Sequence, residues 1–405
     1  MPKSFTVLQV IPRMQAGGAE LGCLQIAEAL VRAGHRALVA SEGGRMVPAL
    51  EDAGARHVAL PLASKNPLRL WRNAQALAGI VRRERVDILH ARSRAPAWSA
   101  LGAARSTGVP LVTTYHSEYS ERGRIKRLYN SVMVRGEKVI AVSDHMAGLI
   151  AARYGTDPGR IAVIHRAVDL GRFDPATVTP ERVARMRQRL GLESGQAVVL
   201  LAGRITRRKA QAHLVEAAGL LERRGVEGFT CVFAGEIEKR DYMAEIEARV
   251  RALGLGARVR FPGNLADMPA AYLLAEASLN ISEAEGLPRV ALESQAMGVP
   301  VIVSDTGPGR EAALTEPDVP PEAATGLRAP FGQPEALAEA LGALLSWSAE
   351  KRKAMGARGA AHVRERFALD RMRRATLEVY EQVLAGSGGR VPGSRGAEFR
   401  DSPET

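Results

Sequence analysis

Two glutamates, Glu285 and Glu293, stand with seven residues between them in the last third of the chain. Pro288 follows the first of them, and proline suits the first position of a helix because its missing N–H would have no partner there. We therefore predict a helix over residues 288–297 that ends at Gly298. This helix would leave Glu285 in the preceding loop and carry Glu293 about a turn and a half inside.

The start of this predicted helix is suited to an anion. The N–H groups of Gly286, Leu287 and Arg289 would point out of the helix start, where the helix dipole is positive, and this arrangement is typical of diphosphate sites. Glu293 lies among apolar residues such as Val290, and a carboxylate buried without a partner costs several kcal/mol. Hydroxyls of a ribose or hexose are suitable partners. The alternative is a surface helix with two solvated glutamates, which the apolar neighbours argue against.

A second group of candidate residues follows the predicted strand 198–202. Gly203 allows a tight turn there, and Arg204 and Lys209 come next. Ligands of open α/β sheets bind at the carboxyl ends of strands, so these two side chains are placed to meet one. An arginine can hold a diphosphate through two hydrogen bonds, and a lysine adds a point charge. The alternative is a solvated basic turn.

Two positions in the first half of the chain are weaker candidates. Gly17 and Gly18 lie between the first predicted strand and helix, where they permit a close backbone approach. Their spacing is not G-x-G-x-x-G, so a dinucleotide fingerprint is not supported. His116 follows the predicted strand 111–115, whose carboxyl end we expect at a ligand cleft. The alternatives are a plain strand-to-helix turn for the glycines and a structural role for the histidine.

Residues 285–305, EGLPRVALESQAMGVPVIVSD, resemble the donor-binding segment of the retaining glycosyltransferases of family 4, which have the GT-B fold. The pair of glutamates with seven residues between them is the signature of that family. Residues 203–209 resemble the family's GR-x4-K element, with Ala210 and Gln211 in place of the more usual Gly-x. Residues 163–175, VIHRAVDLGRFDP, look like the alphaproteobacterial branch, whose members build lipopolysaccharide core and related surface glycans.

Two departures from the family pattern concern the donor rather than the class of enzyme. His165 and Ala167 replace the Asn and Gly that are usual in the family's V-x-x-N-G-V-D turn. Leu287 and Pro288 replace the Phe-Gly often found after the first glutamate, although Leu-Pro is itself a common variant.

The resemblance implies that a hexose is transferred from a nucleotide-diphosphate sugar with retention of configuration. Glu285 would orient the donor sugar, Glu293 would hold the ribose, and backbone groups near Gly263 would meet the nucleobase. The residues implied in catalysis are His116, Glu285, Arg204 and Lys209. The residues implied in donor binding are Gly17, Gly18, Arg204, Lys209, Gly263, Glu285, Gly286, Leu287, Pro288, Val290 and Glu293. The donor would be GDP-mannose or a UDP sugar, and the leaving phosphate would take the acceptor's proton.

No metal or other cofactor is expected beyond the nucleotide sugar. The chain contains no Asp-x-Asp motif. Arg204, Lys209 and the helix start at Pro288 would instead stabilise the leaving diphosphate. Closure of two domains would exclude water and limit hydrolysis of the donor.

The net charge of +12 is concentrated in the first half of the chain. Residues 1–175 hold 25 Lys and Arg against 14 Asp and Glu, a net +11, whereas residues 176–405 hold 31 against 30, a net +1. This asymmetry predicts an anionic partner, namely a membrane surface, a phosphorylated glycolipid acceptor or nucleic acid, the alternative being ordinary solubilising charge. The resemblance implies a glycolipid or oligosaccharide acceptor, and an anionic membrane surface is expected as a further partner. The candidate acceptor or anion-binding residues are Arg92, Arg94, Arg122, Arg124 and Lys126. With 4% aromatic residues and no nucleic-acid-binding motif, we expect no nucleic acid partner.

Short apolar stretches alternate with amphipathic ones throughout, which is typical of parallel sheets with helices on both faces. The predicted strands are residues 5–11, 37–40, 88–90, 111–115, 139–142, 198–202, 230–234, 259–261, 278–281 and 299–303. Two such sets predict an α/β fold with two Rossmann-like domains facing across a cleft. The resemblance implies that this is the GT-B fold, with a C-terminal helix returning to the first domain. The predicted segments are an acceptor-side domain 1–175, a nucleotide-sugar-binding domain 176–368, a returning helix 369–384 and a disordered tail 385–405, with the linker within 165–195.

We expect a cytoplasmic protein, peripheral on the inner face of the cytoplasmic membrane. No apolar run approaches the roughly 18 residues that span a bilayer, and the first residues make a poor signal peptide. Cys23 and Cys231 lie among apolar residues, so buried thiols in a reducing compartment are expected. Two alternatives stay open, namely a sugar-nucleotide epimerase of the same architecture and a non-catalytic membrane- or anion-binding protein.

Overall fold

The computed structural model describes residues 4–15, 17–121, 123–193 and 195–387. The strands of its first sheet are β1 (Thr6–Val10), β2 (Arg36–Ser41), β3 (Arg56–Ala59), β4 (Ile88–Ala91), β5 (Leu111–Tyr115), β6 (Lys138–Ala141) and β7 (Ile161–Val163). They lie in the order β3-β2-β1-β4-β5-β6-β7, and the pairs from β3 through β5 are parallel. The helices along this part of the chain are α1 (Gly18–Arg32), α2 (Val47–Asp52), α3 (Pro67–Glu84), α4 (Arg94–Thr107), α5 (Arg124–Asn130) and α6 (Asp144–Tyr154).

The second sheet has six strands, namely β8 (Ala197–Ala202), β9 (Phe229–Ala234), β10 (Val259–Gly263), β11 (Ala275–Asn280), β12 (Val301–Ser304) and β13 (Gly326–Ala329). Their order is β10-β9-β8-β11-β12-β13, and every pair is parallel. The remaining helices are α7 (Pro180–Arg189), α8 (Gln211–Arg223), α9 (Arg240–Ala252), α10 (Met268–Leu273), α11 (Arg289–Ala296), α12 (Gly307–Ala312), α13 (Pro334–Ser346), α14 (Ala349–Arg366) and α15 (Leu369–Ser387).

Both sheets have the doubly wound topology. The strand order reverses beside β1 in the first sheet and beside β8 in the second, and such reversals mark the ligand-binding edge of Rossmann-like sheets. Alternate residues of β8 show why helices cover both faces. Val199 and Leu201 belong to the core on one face, and Val198 and Leu200 belong to the core on the other. The predicted pair of Rossmann-like folds is confirmed.

The described residues group by their contacts into two compact units. The first holds the residues up to Thr114, Glu121–Ile140 and the part of α15 from Ala375 onward, and the second holds Tyr115–Ser120 and Ala141–Arg374. The strands of the first sheet all precede the predicted boundary at residue 175, whereas contacts place residues 141–175 with the second unit. The predicted linker contains α7, whose Met186 is buried in the second unit's core, so it is not a bare linker.

The end of α15 belongs to the first unit, as predicted. Tyr380 is fully buried there, and its hydroxyl lies 2.6 Å from Nδ1 of His90, the third residue of β4. The observed helix runs to Ser387, three residues beyond the predicted end at 384. The predicted disordered tail lies outside the described residues from 388 onward.

Both cysteines are buried and free, as expected. Burial raises the pKa of Cys23 to about 11 and that of Cys231 to about 12. Within the part of the chain that the structure describes, no helix has both the length and the apolar character needed to cross a bilayer.

Candidate active site

The loop after β8 brings Lys209 to Glu285. Gly203 begins this loop with φ +144°, a conformation that favours glycine, and the Lys209 side chain packs over it. The Lys209 ammonium donates a hydrogen bond to the Glu285 carboxylate, and the two side chains are 21% and 19% exposed. Burial raises the pKa of Glu285, but the charges of Lys209 and Arg166 outweigh it, so the pKa lies below its ordinary value. The structure therefore holds an ionised Glu285 beside a fixed cation.

Hydrogen bonds join the Lys209 loop to the Glu285 loop. Arg208 Nε donates to the Ala284 carbonyl at 2.7 Å, and the Glu283 N–H donates to the Arg208 carbonyl at 2.9 Å. The buried Gln211 braces the loop from the other side, since its Nε2 donates to the Arg204 carbonyl at 3.0 Å and its Oε1 accepts the N–H of Thr206. Between these residues Ala210 adopts the left-handed conformation, φ +55°, at the position where the family more usually has glycine.

Helix α11 starts one residue later than predicted, because Pro288 is extended, with ψ 102°, and is not the first helical residue. The helix begins at Arg289 with Pro288 as its capping residue, and Gly286 to Pro288 are buried. Among the described residues, the backbone N–H groups of Gly286, Leu287 and Arg289 donate no hydrogen bond. These three orphan donors, of which the first directly follows Glu285 and the last begins α11, form a suitable cradle for a phosphate.

Three side chains of the second unit fix Gly286 and bring His116 to it. Ser143 Oγ donates to the Gly286 carbonyl at 2.7 Å. Arg166 Nη2 donates to the His116 carbonyl at 2.9 Å, and that carbonyl lies where a Cβ on Gly286 would have to be. The same Cβ would come 2.8 Å from Cγ2 of Val142. Only glycine fits at 286 without movement of this backbone.

Glu293 lies inside α11 with two partners from the chain itself. Its carboxylate accepts Nη2 of Arg289 at 3.0 Å and the hydroxyl of Tyr272 at 3.3 Å. The side chain is 13% exposed, and burial raises its pKa above the ordinary value despite the nearby charges of Arg289 and Arg172. The buried position of this carboxylate in the sequence predicted that it needs a partner. The structure supplies two partners, Arg289 and Tyr272, so a sugar hydroxyl would be a third partner.

Arg204 and Gly263 lie in the same unit but outside this group of contacts. The Arg204 side chain is 66% exposed and forms an ion pair with Glu238 rather than joining Lys209 and Glu285. Gly263 ends β10 with φ +70°, and its carbonyl accepts the N–H of Gly235 at 2.9 Å. Val290 follows Arg289 on α11 and is half-buried.

The candidate glycines of the first unit lie where the sequence places them. Gly17 is extended, with φ 165° and ψ 171°, and Gly18 begins α1. A Cβ on Gly17 would overlap the Glu20 carboxylate. Their proposed contact with a donor stays a prediction.

The candidate anion-binding arginines are not equivalent. Arg92 is 5% exposed, and its Nε donates to Oε1 of Gln9 at 2.6 Å, so it serves the buried polar core of the first unit. Arg94 Nη1 donates to Oδ1 of Asn130 at 2.8 Å. Arg124 and Lys126 are exposed on α5, whereas Arg122 lies outside the described residues.

One group of side chains could in principle ligate a metal, among the residues that the structure describes. His165 Nε2 lies 2.6 Å from Glu311 and 3.3 Å from Asp144. Glu311 also accepts the N–H groups of Asp144 and His145 at 2.7 and 3.1 Å, at the start of α6. Burial raises the pKa of Glu311, but these hydrogen bonds lower it by a larger amount, so the pKa lies below its ordinary value. We interpret the group as a helix cap that joins α6 to α12.

Four residues of the site escaped the sequence analysis: Ser143, Arg166, Gln211 and Tyr272. Arg166 lies three residues after β7, a strand that the sequence analysis did not predict, so its position near a strand end was not apparent. Gln211 was noticed only as a departure from Gly-x. Ser143 and Tyr272 resemble an ordinary helix cap and a core aromatic, and no sequence signal separates them from those roles.

Comparison with known proteins identifies the class. Two family models match, Glycosyltransferase Family 4 over residues 16–172 and Glycosyl transferases group 1 over residues 183–362. The D-inositol 3-phosphate glycosyltransferase of Salinispora tropica is 31% identical over 344 residues, which cover 76% of this chain and 67% of that protein. A glycosyltransferase from Rickettsia africae has a structure with TM-score 0.84 and 30% identity, covering 94% of this chain and 99% of that one.

A further structure supports the fold alone. Anabaena Alr3699/HepE, solved in complex with UDP-glucose, superposes with TM-score 0.80 at 22% identity, covering 93% of this chain and 99% of that one. Together, the two doubly wound sheets and these matches define a glycosyltransferase with the GT-B fold that uses a nucleotide sugar. The chain belongs to glycosyltransferase family 4. This membership favours a transferase over the epimerase and the non-catalytic binding protein considered above.

Proposed function

We propose that this enzyme transfers a hexose, with retention of configuration, from a nucleotide-diphosphate sugar to a glycolipid or lipopolysaccharide-type acceptor. The observation that carries the donor half is the Lys209–Glu285 pair beside the orphan N–H groups of Gly286, Leu287 and Arg289. A cation and three aligned donors can stabilise a leaving diphosphate, while a fixed carboxylate can orient the hydroxyls of the transferred sugar.

The reaction breaks the bond between the anomeric carbon and the diphosphate oxygen, and a bond from that carbon to the acceptor oxygen forms. The acceptor's proton passes to the departing phosphate oxygen, so no side chain is needed as a covalent nucleophile. Lys209 and the start of α11 would stabilise the negative charge that develops on the diphosphate, and Arg204 would have to leave Glu238 to assist. Glu293 would bind the ribose, and His116, held by Arg166, would contact the donor sugar.

No metal is needed in this proposal, because the protein itself supplies the positive charge at the diphosphate. The glycolipid acceptor is proposed from the resemblance of residues 163–175 and from the positive charge of the first 175 residues. Such an acceptor would require the enzyme to work at a membrane surface, as a peripheral protein in the cytoplasm. GDP-mannose is the donor that the resemblance favours, and UDP sugars are the alternative.

A thermal-shift panel of GDP-, UDP- and ADP-sugars, each with magnesium and with EDTA, tests the donor half. A ligand that binds only the folded state at about 100 times its Kd adds about 2.7 kcal/mol of stability. We expect one nucleotide to raise Tm equally with magnesium and with EDTA. The sugar-dependent part of the shift should disappear in Glu285→Gln and persist in Glu283→Gln, a matched control on an exposed glutamate two residues away.

Three results would contradict the proposal. Stabilisation that requires magnesium would overturn the metal-independent grip on the diphosphate. Release of an epimerised donor in the absence of acceptor would favour epimerase chemistry. Equal shifts in the Glu285 and Glu283 variants would remove Glu285 from the sugar site.

A further inference from the structure

The first unit exposes large apolar side chains at one place. Seven large hydrophobic residues are well exposed among the described residues, and four of them lie on α3 and α5. Leu68 and Trp71 on α3 are 57% and 60% exposed, and Ile125 and Leu128 on α5 are 86% and 58% exposed. In a monomeric soluble protein, clustered exposure of this kind marks an interaction surface.

Helix α4 contacts both of these helices. Trp98 Nε1 donates to the Tyr129 carbonyl at the end of α5 at 3.1 Å, and the next residue, Ser99, donates to the Leu70 carbonyl of α3 at 3.1 Å. Consecutive residues of one helix thus bind the backbone beside Leu128 and the backbone between Leu68 and Trp71. Both helices therefore pack against α4, and we call their four exposed apolar side chains together the α3–α5 surface.

The exposed apolar side chains lie on helices, so their directions are fixed without a partner. Oδ1 of Asn66 accepts the N–H groups of Leu68 and Arg69 at 3.0 and 3.2 Å, and Pro67 starts the helix, so the first turn of α3 is well capped. Leu68 and Trp71 are three residues apart on a helix, as are Ile125 and Leu128, and side chains at this spacing share a face. Each helix thus offers an apolar pair in a fixed direction.

The charged residues that flank the apolar pairs on α3 and α5 are basic. Arg69 and Arg72 are exposed on α3, and Arg124, Lys126 and Arg127 are exposed on α5. No acidic residue occurs in the sequence from 65 to 83 or from 122 to 136. Apolar side chains surrounded by basic ones match the interface of an anionic bilayer, where the former enter the acyl boundary and the latter meet the headgroups.

We propose that the α3–α5 surface docks on an anionic lipid bilayer, with Leu68, Trp71, Ile125 and Leu128 inserted below the headgroups. This membrane contact deepens the proposed function. It rests on that function in one respect, because the proposed glycolipid acceptor is the reason that the enzyme needs a membrane. The contact is thereby assigned to apolar side chains on two helices, whereas the sequence indicated only a basic segment.

Vesicle binding of the full chain tests this assignment. Cosedimentation would compare vesicles of phosphatidylcholine with vesicles of phosphatidylcholine and phosphatidylglycerol. The variant Leu68→Ser/Trp71→Ser/Ile125→Ser/Leu128→Ser should bind the anionic vesicles about 100-fold more weakly, since it loses the apolar insertion and keeps the charges. A matched control, Ile237→Ser/Phe331→Ser, removes two exposed apolar residues of the second unit, 46% and 38% exposed, and should bind like the parent.

Two further measurements separate insertion from simple charge attraction. Trp71 fluorescence should shift to the blue with anionic vesicles, and Trp71→Phe should lose that shift, because Trp71 is exposed whereas Trp98 and Trp347 are half-buried. Salt should weaken binding of the parent without abolishing it, because screening removes only the electrostatic part.

Equal binding of parent and quadruple variant, or equal binding of the parent to neutral and anionic vesicles, would overturn the proposal. A quadruple variant that dissociates an oligomer but keeps its vesicle binding would show instead that this face joins two copies of the chain. Failure here is distinguishable from failure of the proposed function, because donor-induced thermal stabilisation does not involve these residues and should be the same in the quadruple variant and the parent.

Discussion

Replacing Lys209 by methionine separates the structural and chemical roles of its ion pair. Methionine retains most of the apolar stem of Lys209 over Gly203 and removes only the charge beside Glu285. Glu285 would then remain four-fifths buried with only the more distant charge of Arg166 and the hydroxyl of Ser282 to stabilise it. We expect loss of both stability and transferase activity.

The magnitudes follow from this burial. Removing one partner of a fully buried ion pair costs about 3–5 kcal/mol. Because about a fifth of each side chain is solvated and Arg166 remains, we expect a loss of about 2 kcal/mol in the free energy of unfolding for Lys209→Met. The loss of a charge that stabilises the leaving diphosphate should lower kcat by about 100- to 1,000-fold.

A double-mutant cycle with Glu285→Gln makes the reasoning testable. Urea unfolding of the parent, both single variants and the double variant gives the coupling free energy, which we expect to be about 1–2 kcal/mol. The double variant should therefore be more stable than the sum of the single losses predicts. Its activity should not recover, since both functional groups are absent. Arg207→Met is the matched control, because Arg207 lies on the same turn, is 63% exposed and should cost at most about 1 kcal/mol.

Either of two outcomes would refute this account. If Lys209→Met keeps kcat within about threefold of the parent, the ammonium does not act on the leaving group. If the stability losses of Lys209→Met and Glu285→Gln are additive, the two groups do not interact in solution as they do in the structure.

Three further predictions concern neighbouring parts of the molecule. Glu293→Gln should leave the thermal stability at pH 7 unchanged or higher, because a raised pKa means that the folded state loses stability as the pH rises and Glu293 ionises. Donor affinity, measured by calorimetry, should fall about tenfold in this variant. A destabilised variant with unchanged affinity would contradict both expectations. Gly286→Ala should lower the free energy of unfolding by about 1–3 kcal/mol and weaken donor binding, since its Cβ meets the His116 backbone; an unchanged Kd would argue against a donor site there. Tyr380→Phe should cost about 1–2 kcal/mol in urea unfolding by removing the buried hydrogen bond between the Tyr380 hydroxyl and Nδ1 of His90, and a neutral result would show that this hydrogen bond does not stabilise the docking of α15.

The interior strands were all predictable, whereas three of the four edge strands were missed. All ten predicted strands exist, since a strand buried on both faces is a run of apolar residues. The three that were missed, β3, β7 and β13, each end a sheet. They have three or four residues, several of them half-exposed or exposed, so they lack the longer apolar run of a strand that is buried on both faces.

Missing β7 had a consequence for the site. Ile161–Val163 ends three residues before Arg166, so Arg166 lies close to the carboxyl end of a parallel strand. Without that strand, residues 163–175 looked like part of a linker, and only the resemblance drew attention to His165 and Ala167. Arg166 donates to the His116 carbonyl from the turn that follows β7. The position of that turn can be predicted only once the strand itself has been predicted.

The glutamate pair was predictable because its chemistry resides in side chains. The start of α11, the loop position of Glu285 and the need of Glu293 for a partner all follow from proline placement and from the cost of a buried carboxylate. The fixing of Gly286 was not predictable, since it depends on a backbone carbonyl accepting from Ser143 and on another from residue 116 occupying the place of a Cβ. Backbone contacts across long sequence separations leave no residue-type signal.

The balance of charge explains why a site with two carboxylates can still receive a diphosphate. Lys209 and Arg166 act on Glu285, and Arg289 and Arg172 act on Glu293. Four cations against two carboxylates leave two positive charges, which match the roughly two negative charges of a bridging diphosphate. The glutamates alone would repel such a ligand, so their ability to orient sugar hydroxyls depends on cations from three different segments of the second unit. Donor affinity should therefore fall with ionic strength, and it should fall less steeply once one of these four cations is removed.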